Sequence, residues 1–244
     1  MNKTDSYGLL GTGLWFLLIA CVFIFIQSLV IGFYAGATIY AGAETPTPEQ
    51  IEAIMLELPL NGNVVAWATI LSGFVCTLLV FLAIKLKKAS SISVYLGFIK
   101  TDQSTYLRWI IVFAAVLLAS EGLTFLVGKD SVPSDMIIIY QSASPIWFLW
   151  FAIVLVAPIF EEILFRGFLF KSLSNSVFGW VGAIVITAAI WASIHVQYEV
   201  YYIGIIFVWG LIFGYIRHKT ASLTIPITLH ILTNLISMLQ THYI

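Results

Sequence analysis

The chain has 244 residues, 61% of them apolar and only 9% charged, against about 25% charged in ordinary soluble domains. So few charges cannot coat a water-soluble globule, and the mean hydropathy of +1.02 points to hydrocarbon as the natural solvent. A formal net charge of −1 excludes the basic surface that nucleic acid requires.

A helix that crosses a bilayer needs about 20 mostly apolar residues. Seven segments come close, at about 9–34, 64–84, 107–127, 146–170, 177–195, 202–216 and 223–239. The N-terminal run follows a short polar start, exceeds the length of a signal-peptide core and shows no prompt small-residue cleavage pattern. It therefore reads as a retained anchor, long enough to tilt or to break near Gly32 and Gly36. The stretch TPTPEQIEAIMLELPL predicts an extra amphipathic surface helix, with Ile51, Ile54, Met55 and Leu58 on one face. The predicted fold class is thus all-α, a polytopic bundle of about seven to eight transmembrane helices forming a single domain over residues 1–244.

Charge placement predicts orientation. Lys85, Lys87, Lys88, Lys100 and Arg108 fall in the second-to-third connection, and Lys171, Arg217 and Lys219 on the same side. The first connection carries Glu44, Glu49, Glu52 and Glu57 and no base, and Lys129 lies opposite. The N-terminus is expected in the cytoplasm. Cys21 and Cys76 sit in apolar runs and read as small buried residues.

Ionisable groups at membrane depth cost roughly 2.5–3.5 kcal/mol on insertion scales, so they face an interior or a wet cavity and mark function. Here they are Glu121, Glu161, Glu162, Arg166, His195 and His230, with the polar Asn234. Glu162 and Arg166 are four apart and can pair on one face. Glu161 is turned about 100° away with no base three or four residues on, which leaves it free for proton transfer. Pro158 removes a backbone donor beside the glutamates, so a kink is expected there. Trp191 and His195, and His230 and Asn234, repeat the four-residue spacing on two further helices. Three helices can then turn polar faces to one point. Glu161, His195 and His230 are a ligand set that zinc accepts; without metal the same groups supply a base and oxyanion donors. Each group alone has a plainer reading: helix–helix hydrogen bonding for His195, an isolated interior carboxylate for Glu121, a structural ion pair for Glu162 and Arg166. His218 and His242 read as solvated loop residues.

Taken together the motifs resemble the CAAX-prenyl-endopeptidase-like and bacteriocin-processing (CPBP, or Abi) intramembrane proteases. EEILFR, from Glu161 to Arg166, matches the first motif of that family, E-E-x-x-x-R. WASIH, from Trp191 to His195, matches the second with Trp in place of the usual Phe, and HILTN, from His230 to Asn234, matches the third. The resemblance covers about residues 145–240. It implies peptide-bond hydrolysis inside the membrane, with Glu161 activating water, His195, His230 and Asn234 positioning it or stabilising the oxyanion, and Glu162 and Arg166 fixing the helix that carries the base. It implies membrane lipid and a membrane-associated protein or peptide as partners, no nucleic acid, and a bacterial inner membrane as location. No cofactor follows firmly: the spacing is not the compact H-E-x-x-H of strong zinc sites, and metal-independent chemistry is the favoured expectation. The alternatives are a non-catalytic, immunity-type membrane protein of the same fold and a proton-coupled transporter, although the internal repeats expected of a transporter are missing from the sequence.

The spans carry one tension. Counting 1.5 Å per residue, Glu161 lies roughly 13 Å from a helix end near Phe170, and His195 roughly 27 Å from a start near Val177. They meet only if the fourth helix runs on through KSLSNSVFGW and the fifth starts near Gly182. Gly204, Gly210 and Gly214 are expected at close helix contacts.

Overall fold

All seven apolar runs are helices; most run a few residues beyond the sequence reading, while the fifth, Gly179–Ser193, is shorter than the expected 177–195 at both ends. The structure is a computed structural model that describes residues 7–41, 46–87 and 91–244, so Glu44 and Lys88 lie outside the described residues. Among the described residues there are helices and no strands: α1 (Leu9–Ala41), α2 (Pro48–Glu57), α3 (Gly62–Leu86), α4 (Ile92–Leu96), α5 (Gln103–Leu126), α6 (Ser134–Gln141), α7 (Ile146–Ser174), α8 (Gly179–Ser193), α9 (Val200–Thr220) and α10 (Thr224–His242). The short α4 and α6 have no counterpart in the hydropathy pattern, because few residues and no long apolar run mark them.

Five helices, α1, α3, α5, α7 and α9, are long and apolar enough to cross a membrane. The other two of the seven runs differ for separate reasons. Helix α8 has 15 residues, about 22 Å against a hydrocarbon core of about 30 Å. Helix α10 has the length but carries a polar stripe: His230, Thr233, Asn234, Ser237 and Gln240 line one internal cavity. Helix α1 continues through Gly32 and Gly36 without a break. Its 33 residues reach about 50 Å, more than a straight crossing needs.

Helix α2 starts where the sequence provides a capping box, with Thr47 and Gln50 bonded reciprocally. Its apolar side is only partly covered. Leu58, just after it, packs with Val30, Ala35, Val64 and Ala68, while Ile51 and Met55 stay exposed.

Helix α7 is the centre of the bundle. Ile163 through Phe170 are all buried, and Phe160, Phe165 and Phe168 join a core with Val80, Phe213, Ile216 and Leu229 from three other helices. Lipid tails are as apolar as these side chains, so close packing rather than water exclusion holds such helices together. Small residues allow it. A Cβ at Gly73 would meet Val156 Cγ1 at 2.9 Å, and one at Gly210 would meet Ala188 Cβ at 2.9 Å. Gly214 packs against Ile184 in the same way, but Gly204 faces open space and makes no close contact. Cys76 is buried, whereas Cys21 is exposed on α1, contrary to its expected burial.

The bases gather at one end. Tyr7 donates to the Ala83 carbonyl at 2.9 Å, with Lys87 above its ring, and Lys171 sits over Tyr95 at 4.2 Å. Arg217 is buried there. Its guanidinium donates to the carbonyls of Arg166 at 3.0 Å, Leu96 at 3.1 Å and Ala221, tying α7, α4 and the end of α9 together. Gly97 lies against that guanidinium at φ +83°, where a side chain has neither room nor an easy conformation. At the opposite end Lys129 pairs with Glu199 at 2.5 Å, which holds the ammonium above its ordinary range. His218 is in the last turn of α9, stacked on Trp180, and His242 ends α10 bonded to Tyr140, so neither is a loop residue.

Candidate active site

Depth decides whether the polar faces can meet. Helix α7 runs on to Ser174 and α8 begins at Gly179. By residue count Glu161 is then about 20 Å and Trp191 about 18 Å from the basic end. The two helices therefore bring these residues level, and Trp191 Nε1 donates to Glu161 Oε2 at 2.5 Å.

The backbone around the glutamates is irregular in a specific way. Helix α7 is α-helical at Ala157–Glu162 and π-helical on both sides, at Phe151–Val156 and Ile163–Leu169. Wide turns of this kind recur at functional sites and are tolerated at membrane depth where protein or a cavity covers them. The break expected at Pro158 takes this form. The Ala157 N–H bonds to the Ala152 carbonyl, five residues back. Continuing that pattern, residue 158 would donate to the Ile153 carbonyl, but proline has no N–H. Asn234 Nδ2 donates to that carbonyl instead, at 2.8 Å. Asn234 thus repairs the backbone beside the glutamates with one of its two amide N–H groups. We expect Asn234→Leu to cost about 1 kcal/mol, the loss of a hydrogen bond to a partly buried carbonyl. Pro158→Ala restores an N–H, so in that background the same substitution should cost little. Thermal unfolding of the four members of the cycle checks this; an equal cost in both backgrounds would contradict it.

Glu162 and Arg166 are both fully buried and pair at 2.9 Å, as their spacing predicts. Arg166 also donates to the Gly210 carbonyl at 3.2 Å and lies 4.5 Å from the centre of the Trp191 ring, a cation–π contact that helps fix the indole. Glu162 Oε1 takes a second contact, with His230 Nδ1 at 3.0 Å. An ionised carboxylate only accepts, so Nδ1 carries the proton and neutral His230 leaves Nε2 as an acceptor. That Nε2 is 3.8 Å from Glu161 Oε2. The ring is wedged between Trp191 and Phe213, at centroid distances of 5.1 and 5.3 Å.

Glu161 is the most accessible of this group, with 16% of its side chain exposed against none for Glu162. It faces a cavity of about 580 Å³ lined also by Trp191, His195, His230, Asn234 and Glu121. Spacing alone left Glu161 without a partner; the structure gives it the indole N–H of Trp191. His195 sits just beyond α8 with Nδ1 bonded to the Trp191 carbonyl at 2.8 Å, and its ring lies against Tyr198. Glu121 lines the same cavity and accepts from Ser131 at 2.7 Å.

Among the described residues no group of three or more His, Cys, Asp or Glu side chains converges as a metal ion would require. Glu161 Oε2 accepts from the indole, while His230 and His195 are each held through Nδ1, by Glu162 and by a backbone carbonyl, which leaves both Nε2 atoms on the far side of the rings.

Residues 143–236 match a family model described as type II CAAX prenyl endopeptidase Rce1-like. No curated protein and no solved structure matches the chain.

Proposed function

We propose that this chain, a member of the CAAX prenyl endopeptidase-like family through residues 143–236, hydrolyses a peptide bond of a membrane-associated protein or peptide with Glu161 as the water-activating base. The family match over residues 143–236 and the five long apolar helices support an integral membrane protein of the CAAX-protease type. The observation that carries the residue assignment is the division of labour between adjacent carboxylates. Glu162 is buried in a pair with Arg166 and His230, while Glu161 faces the cavity.

In this reading Glu162 orients His230 and Trp191 orients Glu161. A water on the cavity side of Glu161 Oε2 and His230 Nε2, off the line joining them, can donate to both, because their 3.8 Å separation is too long for a direct bond and short enough to bridge. Glu161 takes a proton from the water as it attacks the carbonyl carbon, then passes it to the leaving amine. His195 Nε2, when protonated, is the donor for the oxyanion. Asn234 acts as a positioning residue through its bond to the Ile153 carbonyl, and its second amide N–H is available to the site. The Lys- and Arg-rich end faces the cytoplasm of a bacterial inner membrane, as the loop charges suggest.

The test is cleavage of a transmembrane peptide by the purified protein in nanodiscs. We expect hydrolysis, and a rate that survives removal of divalent metals by chelation and dialysis. Absence of hydrolysis across peptide substrates would favour an immunity-type binding role. A rate lost on chelation and restored by zinc would move the water onto a metal.

A further inference from the structure

A second cavity, about 520 Å³, opens at the basic end between the start of α5 and the last turn of α9. Lys100, Arg108 and Lys219 line it, with Asp102, Thr101 and Trp109. Three cations thus face one carboxylate, and among the described residues none of the three forms a salt bridge. The carboxylate is already engaged in capping α5. It accepts from Ser104 Oγ at 2.5 Å, the Thr105 N–H at 2.9 Å and Thr105 Oγ1 at 2.8 Å. These bonds, that from Ser104 foremost, hold its carboxyl well below the usual range, so it stays an acceptor and donates nothing to the cavity. The hydroxyl of Thr101 is buried in the lining without a hydrogen-bond partner.

The surroundings are those of a membrane interface. Trp109 packs edge-on to Tyr215, which also lines the cavity, and Lys219 lies above the Tyr215 ring. Aromatic residues of this kind settle at headgroup level. Just beside the opening Ile99, Leu107 and Ile111 expose 43%, 58% and 61% of their surfaces. A ligand suited to this place has a compact anion for the three bases and the Thr101 hydroxyl, and apolar chains for the exposed flank.

We propose that this cavity binds the phosphate headgroup of an anionic glycerophospholipid from the surrounding leaflet. A soluble phosphate would satisfy the bases but would leave the apolar flank uncovered. The end of the bundle in question is the one that loop charge assigns to the cytoplasm, where anionic lipid attracts basic residues. The bound headgroup bridges α5 to α9. This matters because α5 is otherwise loosely held: of its residues only Phe113 and Thr124 are buried. The same helix carries Leu117, Ser120, Glu121 and Thr124 into the wall of the Glu161 cavity. The lipid site goes beyond the proteolytic reading and is tested without it.

The experiment is lipid retention measured by native mass spectrometry on the purified full chain, equilibrated with phosphatidylglycerol or phosphatidylcholine. Phosphatidylglycerol should be retained and phosphatidylcholine not. Each of Lys100→Gln, Arg108→Gln and Lys219→Gln should weaken retention about fivefold, and the triple variant about a hundredfold. Lys129→Gln, at the opposite end, should leave it unchanged. Should the triple variant fail to fold, the single variants carry the test. Equal retention of phosphatidylglycerol by parent and single variants would overturn the site. Displacement of the lipid by millimolar inorganic phosphate would assign the cavity to a soluble phosphate and overturn the lipid.

Discussion

Glu161→Gln should lower the rate of peptide cleavage by about 10³–10⁴-fold, towards the upper end of what one general base contributes. The substitution keeps the shape of the site, because the Gln carbonyl oxygen still accepts from the indole N–H of Trp191, now 2.5 Å from Glu161 Oε2. What it removes is the ability to take a proton. Thermal stability in the same nanodiscs should therefore stay at the parent value while turnover falls. Glu161→Asp keeps the base but withdraws it by one methylene, so it should retain some activity. Cleavage by Glu161→Gln at the parent rate would show that the base lies elsewhere.

Arg166→Met should be the most destabilising single change near the site. It leaves Glu162, fully buried, with His230 as its remaining partner, and breaking one side of a buried pair costs about 3–5 kcal/mol. It also strips the Gly210 carbonyl of a donor and the Trp191 ring of its cation. Replacing both partners, as Glu162→Leu with Arg166→Met, removes the uncompensated charge. Most of the stability should return, yet turnover should not, because His230 then loses the carboxylate that holds its Nδ1. Unfolding in detergent and cleavage in nanodiscs, measured on the same three variants, separate the two effects. A double variant that recovers both stability and rate would show that Glu162 serves packing alone.

The two predictions rest on features of unequal legibility in the sequence. The i, i+4 spacing of Glu162 and Arg166 was enough to pair them, since both ends of that contact lie on one helix. Apolar run length placed every long helix, and the continuation of α7 to Ser174 brought its glutamates level with Trp191. Contacts between helices left no such trace. Trp191 matched the motif as a bulky aromatic; that its N–H orients Glu161 depends on how α8 lies against α7. Asn234 read as a residue that positions the water or stabilises the oxyanion because of its motif position. Its bond to Ile153 exists only because the π-helical register, broken by Pro158, exposes that one carbonyl. His195 shared that expectation; its Nδ1 contact with the Trp191 carbonyl, four residues back, fixes the ring and leaves Nε2 for that role. Arg217 counted only as a basic loop charge, whereas it is buried and holds three carbonyls. Its spacing gave no warning, because Leu96 and Arg166 are remote in the chain and meet it only in the fold.

In the proposed reaction a water, activated by Glu161, attacks the peptide carbonyl with no covalent intermediate on the enzyme. Single-turnover cleavage in H₂¹⁸O, with mass spectrometry of product and enzyme, tests it most directly. One ¹⁸O is expected in the new carboxylate of the product, none in Glu161, and no acyl adduct trapped by hydroxylamine. An ¹⁸O-labelled Glu161 or a trapped adduct would contradict it, since either would make Glu161 a nucleophile rather than a base.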